Sequence, residues 1–306
     1  MGEAMSKKGL PSSPAALLGC YSNFTFLAGA SHPAEMVEAA AALGWQAVGI
    51  ADVNSLAGIV RAHVAARDAG IGLVVGARLR PVDGPDIIAH PTDRAGYEAL
   101  SVLLSEANMR GIKGAPVLYL ADLARVTSGT RLLVMPPSHP DTAHATQLGR
   151  IREIVTAPVF VGAVLYRDGG DEARLAILAE MAASQKLPLT VVGDALYHDP
   201  ARRPLADVLA CIREGQRLDN AGALLSRNAE RQVLPRKTRQ RMGQWKTAEA
   251  PARSVCPSSC RRDGVVPANA ASHCAQPGRA VNDHPFGSWC FCAEELPHSG
   301  ARAGTP

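Results

Sequence analysis

The chain has 306 residues, 47% apolar and 20% charged, with a formal net charge of +4. That length can bury a full core, and no run approaches the ~18–20 apolar residues of a membrane-spanning helix. The charge is unevenly spread. Residues 236–306 hold 10 Lys/Arg and 5 Asp/Glu, which leaves 22 and 23 in residues 1–235.

At the N-terminus, Lys7-Lys8 followed by Leu17-Leu18-Gly19-Cys20 has the outline of a lipoprotein signal. Such a signal needs an apolar stretch of roughly 7–15 residues. Here Pro11, Ser12, Ser13 and Pro14 interrupt it. Residues 1–14 therefore read as a flexible leader, and the chain as cytoplasmic, with Cys20 and Cys211 as reduced thiols.

The ordered part is expected from residue 15 to 231. Pro33 opens a helix through Leu43, with Met36, Ala40 and Leu43 on one face. Ala47-Val48-Gly49-Ile50 is a buried strand ending at Asp52. Asn54 or Ser55 then caps a helix whose Leu56, Ile59, Val60, His63 and Val64 form a core stripe. Leu73 to Val75 is the next strand, and Val82-Asp83-Gly84-Pro85 turns the chain into Ile87-Ile88-Ala89. A helix runs from Thr92 to about Met109. Strands follow at Leu132–Val134, Val159–Leu165 and Leu189–Val192, and helices at Glu172–Ser184 and Leu205–Glu214. In the last helix Leu205, Val208, Leu209 and Ile212 share a face. Alternating strands and helices favour an α/β fold with a parallel sheet. About seven strands in over 200 residues suit a closed or nearly closed barrel. A doubly wound open sheet is the alternative, but no G-x-G-x-x-G or P-loop follows the first strand.

In a barrel of this kind chemistry sits where the strands end. Those positions hold Asp52-Val53, Gly76-Ala77-Arg78 and Gly193-Asp194-Ala195-Leu196, with Gly19-Cys20-Tyr21 earlier in the chain. Asp52 and Asp194 are expected to point towards one rim. A hydrolytic metal site would also need histidines and further carboxylates at several strand ends. Arg78 is instead placed to neutralise an aspartate, and that structural pair is favoured over catalysis. Among the histidines, His63 lies on an apolar helical stripe, His90 precedes Pro91, and His139 sits in a Pro-rich loop. His198 is the best placed, as an acid–base partner for Asp194. A surface histidine in a Tyr-His-Asp-Pro turn is the plainer reading. The candidate catalytic residues are thus Asp194, His198 and Asp52, with no cofactor and no metal ligand set assigned.

From Arg236 onward only Val255, Val265, Val266, Val281 and Leu296 represent the branched aliphatics. Such a segment cannot bury enough apolar surface to offset its ordering entropy, so it reads as disordered. It also holds Cys256, Cys260, Cys274, Cys290 and Cys292 beside His273. Zinc binding through these ligands is a second possibility for the tail. DNA contact through its basic residues is a third, although the charges are scattered.

Several strings resemble a known family. They are residues 22–33 (SNFTFLAGASHP), 55–66 (SLAGIVRAHVAA), 197–205 (YHDPARRPL), Asp207-Val208-Leu209, Cys211-Ile212-Arg213-Glu214 and Asn228-Ala229-Glu230-Arg231. Together, and in this order, they are similar to the start of bacterial error-prone DNA polymerases. These are C-family enzymes, like replicative alpha subunits, used in damage tolerance. The resemblance implies that residues 15–231 form a PHP (polymerase and histidinol phosphatase) domain, a distorted seven-stranded β/α barrel of TIM-like type. It also implies a parent that copies DNA across lesions with magnesium. That parent's partners would be DNA, its other polymerase domains and mutagenesis accessory proteins.

The departures are informative. An active PHP domain would carry His-x-His where Gly19 and Tyr21 stand, and Thr-Asp-His at Ala51-Asp52-Val53. It would carry Glu at Arg78 and Asp-x-His at Asp194-x-Leu196. Only Asp194 keeps a ligating side chain. The resemblance ends at Arg231, and residues 232–306 read as a non-homologous tail of the kind a shifted reading frame would produce. The sequence therefore points to a truncated error-prone polymerase retaining a non-catalytic PHP domain. The alternatives are a PHP-type metal-dependent phosphoesterase or 3′–5′ exonuclease, and a zinc- or DNA-binding protein acting through the tail.

Overall fold

The computed structural model describes residues 16–126, 128–235 and 295–296. The leader, the tail cysteines and His273 lie outside the described residues. Seven strands build one sheet in chain order: β1 (Ala16–Cys20), β2 (Ala47–Val53), β3 (Gly72–Leu79), β4 (Ile87–Pro91), β5 (Thr130–Val134), β6 (Val159–Val164) and β7 (Leu189–Val192). A two-residue strand, β8 (Glu295–Leu296), pairs antiparallel with β7. Six helices accompany them: α1 (Pro33–Ala42), α2 (Ile59–Ala69), α3 (Arg94–Arg110), α4 (Thr142–Ile154), α5 (Asp171–Ser184) and α6 (Arg203–Arg213). None of them is long and apolar enough to cross a membrane.

Strands β1 to β3 are parallel, as are β5 to β7, while β4 runs antiparallel to both its neighbours. The expected parallel sheet holds for β1–β3 and β5–β7, and the expected turn at Val82-Asp83-Gly84-Pro85 is where the chain reverses into β4. The link from β3 to β4 carries no crossover helix, so the chain can only return as a hairpin. The sheet curls until Gly193 N–H donates to Leu18 O (2.7 Å) and Tyr21 N–H to Ala195 O (2.9 Å). These bonds bring the end of β7 against β1 and nearly close the barrel.

Side chains alternate across each strand, and this parity sorts the core. Leu18, Ala51, Val74, Ile88, Leu133, Phe160, Val164 and Val192 form the inner cluster. Ala77, Leu79, Ile87 and Ala89 face outwards, against Leu100, Leu103 and Leu104 of α3. Val48 and Ile50 pack with Met36 and Val37 of α1 and Ile59 and Ala62 of α2.

Three helical expectations need correction. α2 starts at Ile59 with Gly58 at its N-cap, because Asn54 and Ser55 serve the preceding turn. Asn54 has φ 47° and its Oδ1 accepts from Arg80 N–H at 3.0 Å, and Ser55 Oγ accepts from Ala57 N–H at 3.1 Å. The buried face of α2 is Ile59, Ala62 and Ala66, while Val60, His63 and Val64 are exposed. Second, the expected face of α6 is split: Leu205, Val208 and Ile212 are exposed, while Leu209 packs with Ala206 against Ala30 and Tyr197. Third, α4 has no counterpart in the expected elements. Asp141 caps it by accepting from His144 N–H (3.0 Å), and Leu148 and Ile151 bury its core side.

His90 lies inside the barrel with the parity of Ile88. Glycines make room for it, since a Cβ on Gly76 would fall 2.5 Å from its Nδ1. That Nδ1 lies 2.9 Å from Val75 O, and burial pushes the imidazole pKa down to about 4. An unfolded histidine titrates near ~6.5, so above that pH the ring is neutral in both states. As pH falls from 6.5 to 4, the unfolded chain takes up a proton that the folded chain refuses. Stability therefore drops, by ~3 kcal/mol from this group when fully expressed. Urea unfolding followed from pH 7 to 4 should show a smaller loss for His90→Gln than for the parent chain. Parallel profiles would show that the buried ring is not held neutral.

Candidate functional site

The C-terminal ends of the parallel strands form the mouth of the barrel. Arg78 shares inward parity with Val74 and Gly76, so the pleat of β3 delivers its guanidinium into that mouth. Asp194 follows β7 with φ 51°, a left-handed conformation that aspartate tolerates better than most residues. The two side chains are almost fully buried and meet, with Arg78 Nη2 donating to Asp194 Oδ1 at 2.5 Å. Arg231 takes the other oxygen, donating from Nη2 to Asp194 Oδ2 at 2.6 Å. The sequence reading of Arg78 anticipates the first contact and misses the second.

Aromatic rings complete the cluster. The Arg78 guanidinium lies 4.4 Å from the Tyr21 ring centroid and Arg231 lies 5.8 Å from it. These are cation–π distances. Burial, reinforced by the Asp194 charge, pushes the Tyr21 hydroxyl up to about 12, so it stays protonated at neutral pH. Burial works most strongly against the charge of Arg78, but Asp194, Tyr21 and Asp86 together outweigh it and the guanidinium is held above its ordinary pKa. The reversed direction of β4 brings Asp86 to the same rim, 3.7 Å from Arg78 Nη1. Asp86 is mainly occupied by Arg80, which donates to both its oxygens at 3.0 and 2.9 Å.

A strap crosses the mouth. Asn228 Nδ2 donates to Tyr166 O at 2.8 Å, and Arg167 Nη1 pairs with Glu230 at 2.7 Å. Leu196 N–H donates to Arg231 O (2.8 Å), Val233 N–H to Tyr197 O (3.1 Å) and Trp45 Nε1 to Leu234 O (2.8 Å). Arg231 therefore enters the site from a segment anchored on both sides. Its position at the end of the last matching string is the only sequence signal that could have drawn attention to it.

The other two candidate residues belong elsewhere. Asp52 has the parity of Val48 and Ile50 and lies on the helix-facing side of β2, not in the mouth. It accepts from Ser22 N–H, Ser22 Oγ and Thr25 Oγ1, each at 2.7 Å. Burial raises its pKa, and these bonds oppose the rise. Its work is to fasten the loop after β1, which corrects the expectation that it shares a rim with Asp194. His198 Nδ1 lies 2.8 Å from Ser31 Oγ, whose oxygen also accepts from His198 N–H at 3.0 Å. It is tied to the approach to α1, 3.9 Å from Glu35, and not to Asp194. Asp194, His198 and Asp52 thus sit in three separate networks.

A PHP domain model matches residues 18–179, more than half of the sequence. The chain belongs to the PHP domain family. Among similar proteins, the error-prone DNA polymerase of Rhodopseudomonas palustris is 42% identical over 224 residues, which is 71% of this chain and 20% of that protein. The error-prone DNA polymerase of Brucella abortus is 42% identical over 70% of this chain and 20% of its own length. This PHP domain chain therefore spans about a fifth of the curated relatives it matches. A solved structure from Bifidobacterium adolescentis, described as a candidate metal-dependent phosphoesterase, is 17% identical with a TM-score of 0.46. That match covers 60% of this chain and 88% of that one.

The residues do not fit the metal cluster that an active PHP domain implies. No group of three or more His, Cys, Asp or Glu side chains that could hold a metal occurs among the described residues. Both oxygens of Asp194 are already bonded to guanidinium groups, which repel a cation. The mouth is an electrostatically closed cluster rather than an open coordination site. Removing one partner of a buried pair costs ~3–5 kcal/mol. Asp194→Asn, which keeps the left-handed backbone, should lower the unfolding free energy by about that amount in urea titrations. Added Mn²⁺ or Zn²⁺ should leave the melting temperature of the parent chain unchanged, whereas a metal-dependent rise would reveal a site that binds.

Proposed function

We propose that this chain is the non-catalytic PHP region of an error-prone DNA polymerase, serving as a structural scaffold and not as a hydrolase. The observation that carries this reading is the capture of Asp194 by Arg78 and Arg231. The one side chain retained from the ligand set that the resemblance implies is spent on structure. The similarity to error-prone polymerases over about 70% of the chain supplies the parent, whose activity is template-directed DNA synthesis across lesions. In that parent this region adds no metal ligand to the magnesium chemistry of nucleotide transfer. DNA, the remaining polymerase domains and mutagenesis accessory proteins are partners of the parent, and its place is the cytoplasm.

Chemistry at the mouth is disfavoured on three counts. Both oxygens of Asp194 are held by guanidinium groups. Tyr21 stays protonated, and His198 lies outside the cluster. A phosphodiester would also meet Asp86 and Asp194 among the cations, since Arg78, Arg80 and Arg231 are each already paired with one of these carboxylates.

The test is an assay of the purified chain on a 5′-end-labelled primer–template with Mn²⁺, Zn²⁺ or Mg²⁺. No chelator-sensitive shortening of the primer is expected above a denatured control. Hydrolysis that vanishes with chelator and with Asp194→Asn would overturn the scaffold reading in favour of a PHP-type exonuclease. Translation of the underlying gene beyond codon 231 in the other frames adds a second check. Polymerase-like sequence there supports the parent, and its absence from every frame counts against it.

A further inference from the structure

The seam of the barrel is closed differently at its two ends. Along a strand, the N–H and C=O of one residue point to one edge and those of the next residue to the other. Val161 N–H of β6 donates to Pro188 O at 2.8 Å, so Pro188 and Thr190 turn their backbone groups to β6. Leu189, Val191 and Gly193 therefore turn theirs to the opposite edge, where β1 lies. Gly193 uses that edge, donating to Leu18 O at 2.7 Å, and Ala195 O accepts from Tyr21 N–H at 2.9 Å. Both bonds lie at the mouth. At the other end, where β7 begins, β8 meets the edge, with Leu189 opposite Leu296 and Thr190 opposite Glu295.

We infer that the edge at the start of β7 is a strand-accepting site, and that the chain's own Glu295-Leu296 segment is its occupant. The antiparallel pairing of β8 seats that segment on the edge. The register agrees with the direction of the backbone groups. Leu189 faces the seam, so its pair with Leu296 is of the hydrogen-bonded kind, in which both residues exchange N–H···O bonds. The edge also needs a partner. Leu189 and Thr190 are each 2% exposed, and a buried backbone donor or acceptor left unpaired is costly. Strand addition of this kind draws its affinity from the main chain. It therefore suits a tail whose few branched aliphatics give it no apolar periodicity. Pro297, next in the sequence, has no N–H with which to lengthen the ladder. The inference goes beyond the scaffold reading and does not depend on it.

Amide hydrogen exchange on the 306-residue chain tests this, with Leu296→Pro and Leu296→Ala as the variants. Proline removes the N–H that the pair needs, whereas alanine keeps it. The Leu189 amide should exchange at least about tenfold faster in Leu296→Pro, the scale of losing two backbone hydrogen bonds. In Leu296→Ala it should keep the parent rate. The Val161 amide, bonded to Pro188 across the other edge of β7, is the internal control and should be unchanged in both variants. Equal protection of Leu189 in the parent and in Leu296→Pro overturns the inference. Equal loss in both variants also overturns it, because the contact would then belong to a side chain and not to an added strand. Faster exchange at Val161 as well as at Leu189 signals a general loosening of the barrel and overturns it too. None of these outcomes bears on the exonuclease assay, so the scaffold reading is tested separately.

Discussion

The mouth of this barrel is organised by one buried carboxylate held between two guanidinium groups. Asp194 joins the end of β7 to β3 through Arg78 and to the strap through Arg231, so one side chain ties three distant segments together. Burying Asp194 and Arg78 beside the half-buried Arg231 is expensive, and the arrangement holds because every charge finds a partner and both guanidiniums lie near an aromatic face. A multi-metal centre would tie the same strand ends together by placing cations among carboxylates and imidazoles. Here the cations are covalently part of the protein. They cannot be exchanged, have no open coordination position and cannot activate a water.

The position of that cluster follows from two geometric constraints. Parity on β3 sends Arg78 inward with Val74 and Gly76, whereas parity on β2 sends Asp52 outward with Val48 and Ile50. A one-residue change of register in either strand would exchange these destinations. The hairpin reversal at β4 brings Asp86 to the mouth, beside Arg78 and Arg80. Without it, the residue preceding that strand would lie at the opposite end of the barrel. The chemistry at the rim is thus fixed by strand direction and pleat before any side-chain interaction is counted.

The same two constraints decide what could be read from sequence. The strands were legible because buried strands are continuous apolar runs, and β7 agrees with its expected limits, Leu189–Val192. Arg78 as a neutraliser of aspartate was legible because it stands at a strand end where a charge must find a counter-charge. Asp52 was misplaced because being at the end of a strand does not reveal the face, and the face depends on a parity that Ala51 and Val53 leave ambiguous. Arg231 was illegible as a site residue because its contact with Asp194 spans 37 positions and depends on a strap without periodicity. α4 was missed because polar and small residues dilute its Leu148 and Ile151 spacing.

α6 shows a different kind of failure, and one with more information in it. Its apolar periodicity is real and its helical state matches the expectation, yet only Leu209 of the stripe packs on this barrel, while Leu205, Val208 and Ile212 are exposed. Periodicity reports that a face is to be buried and says nothing about the partner.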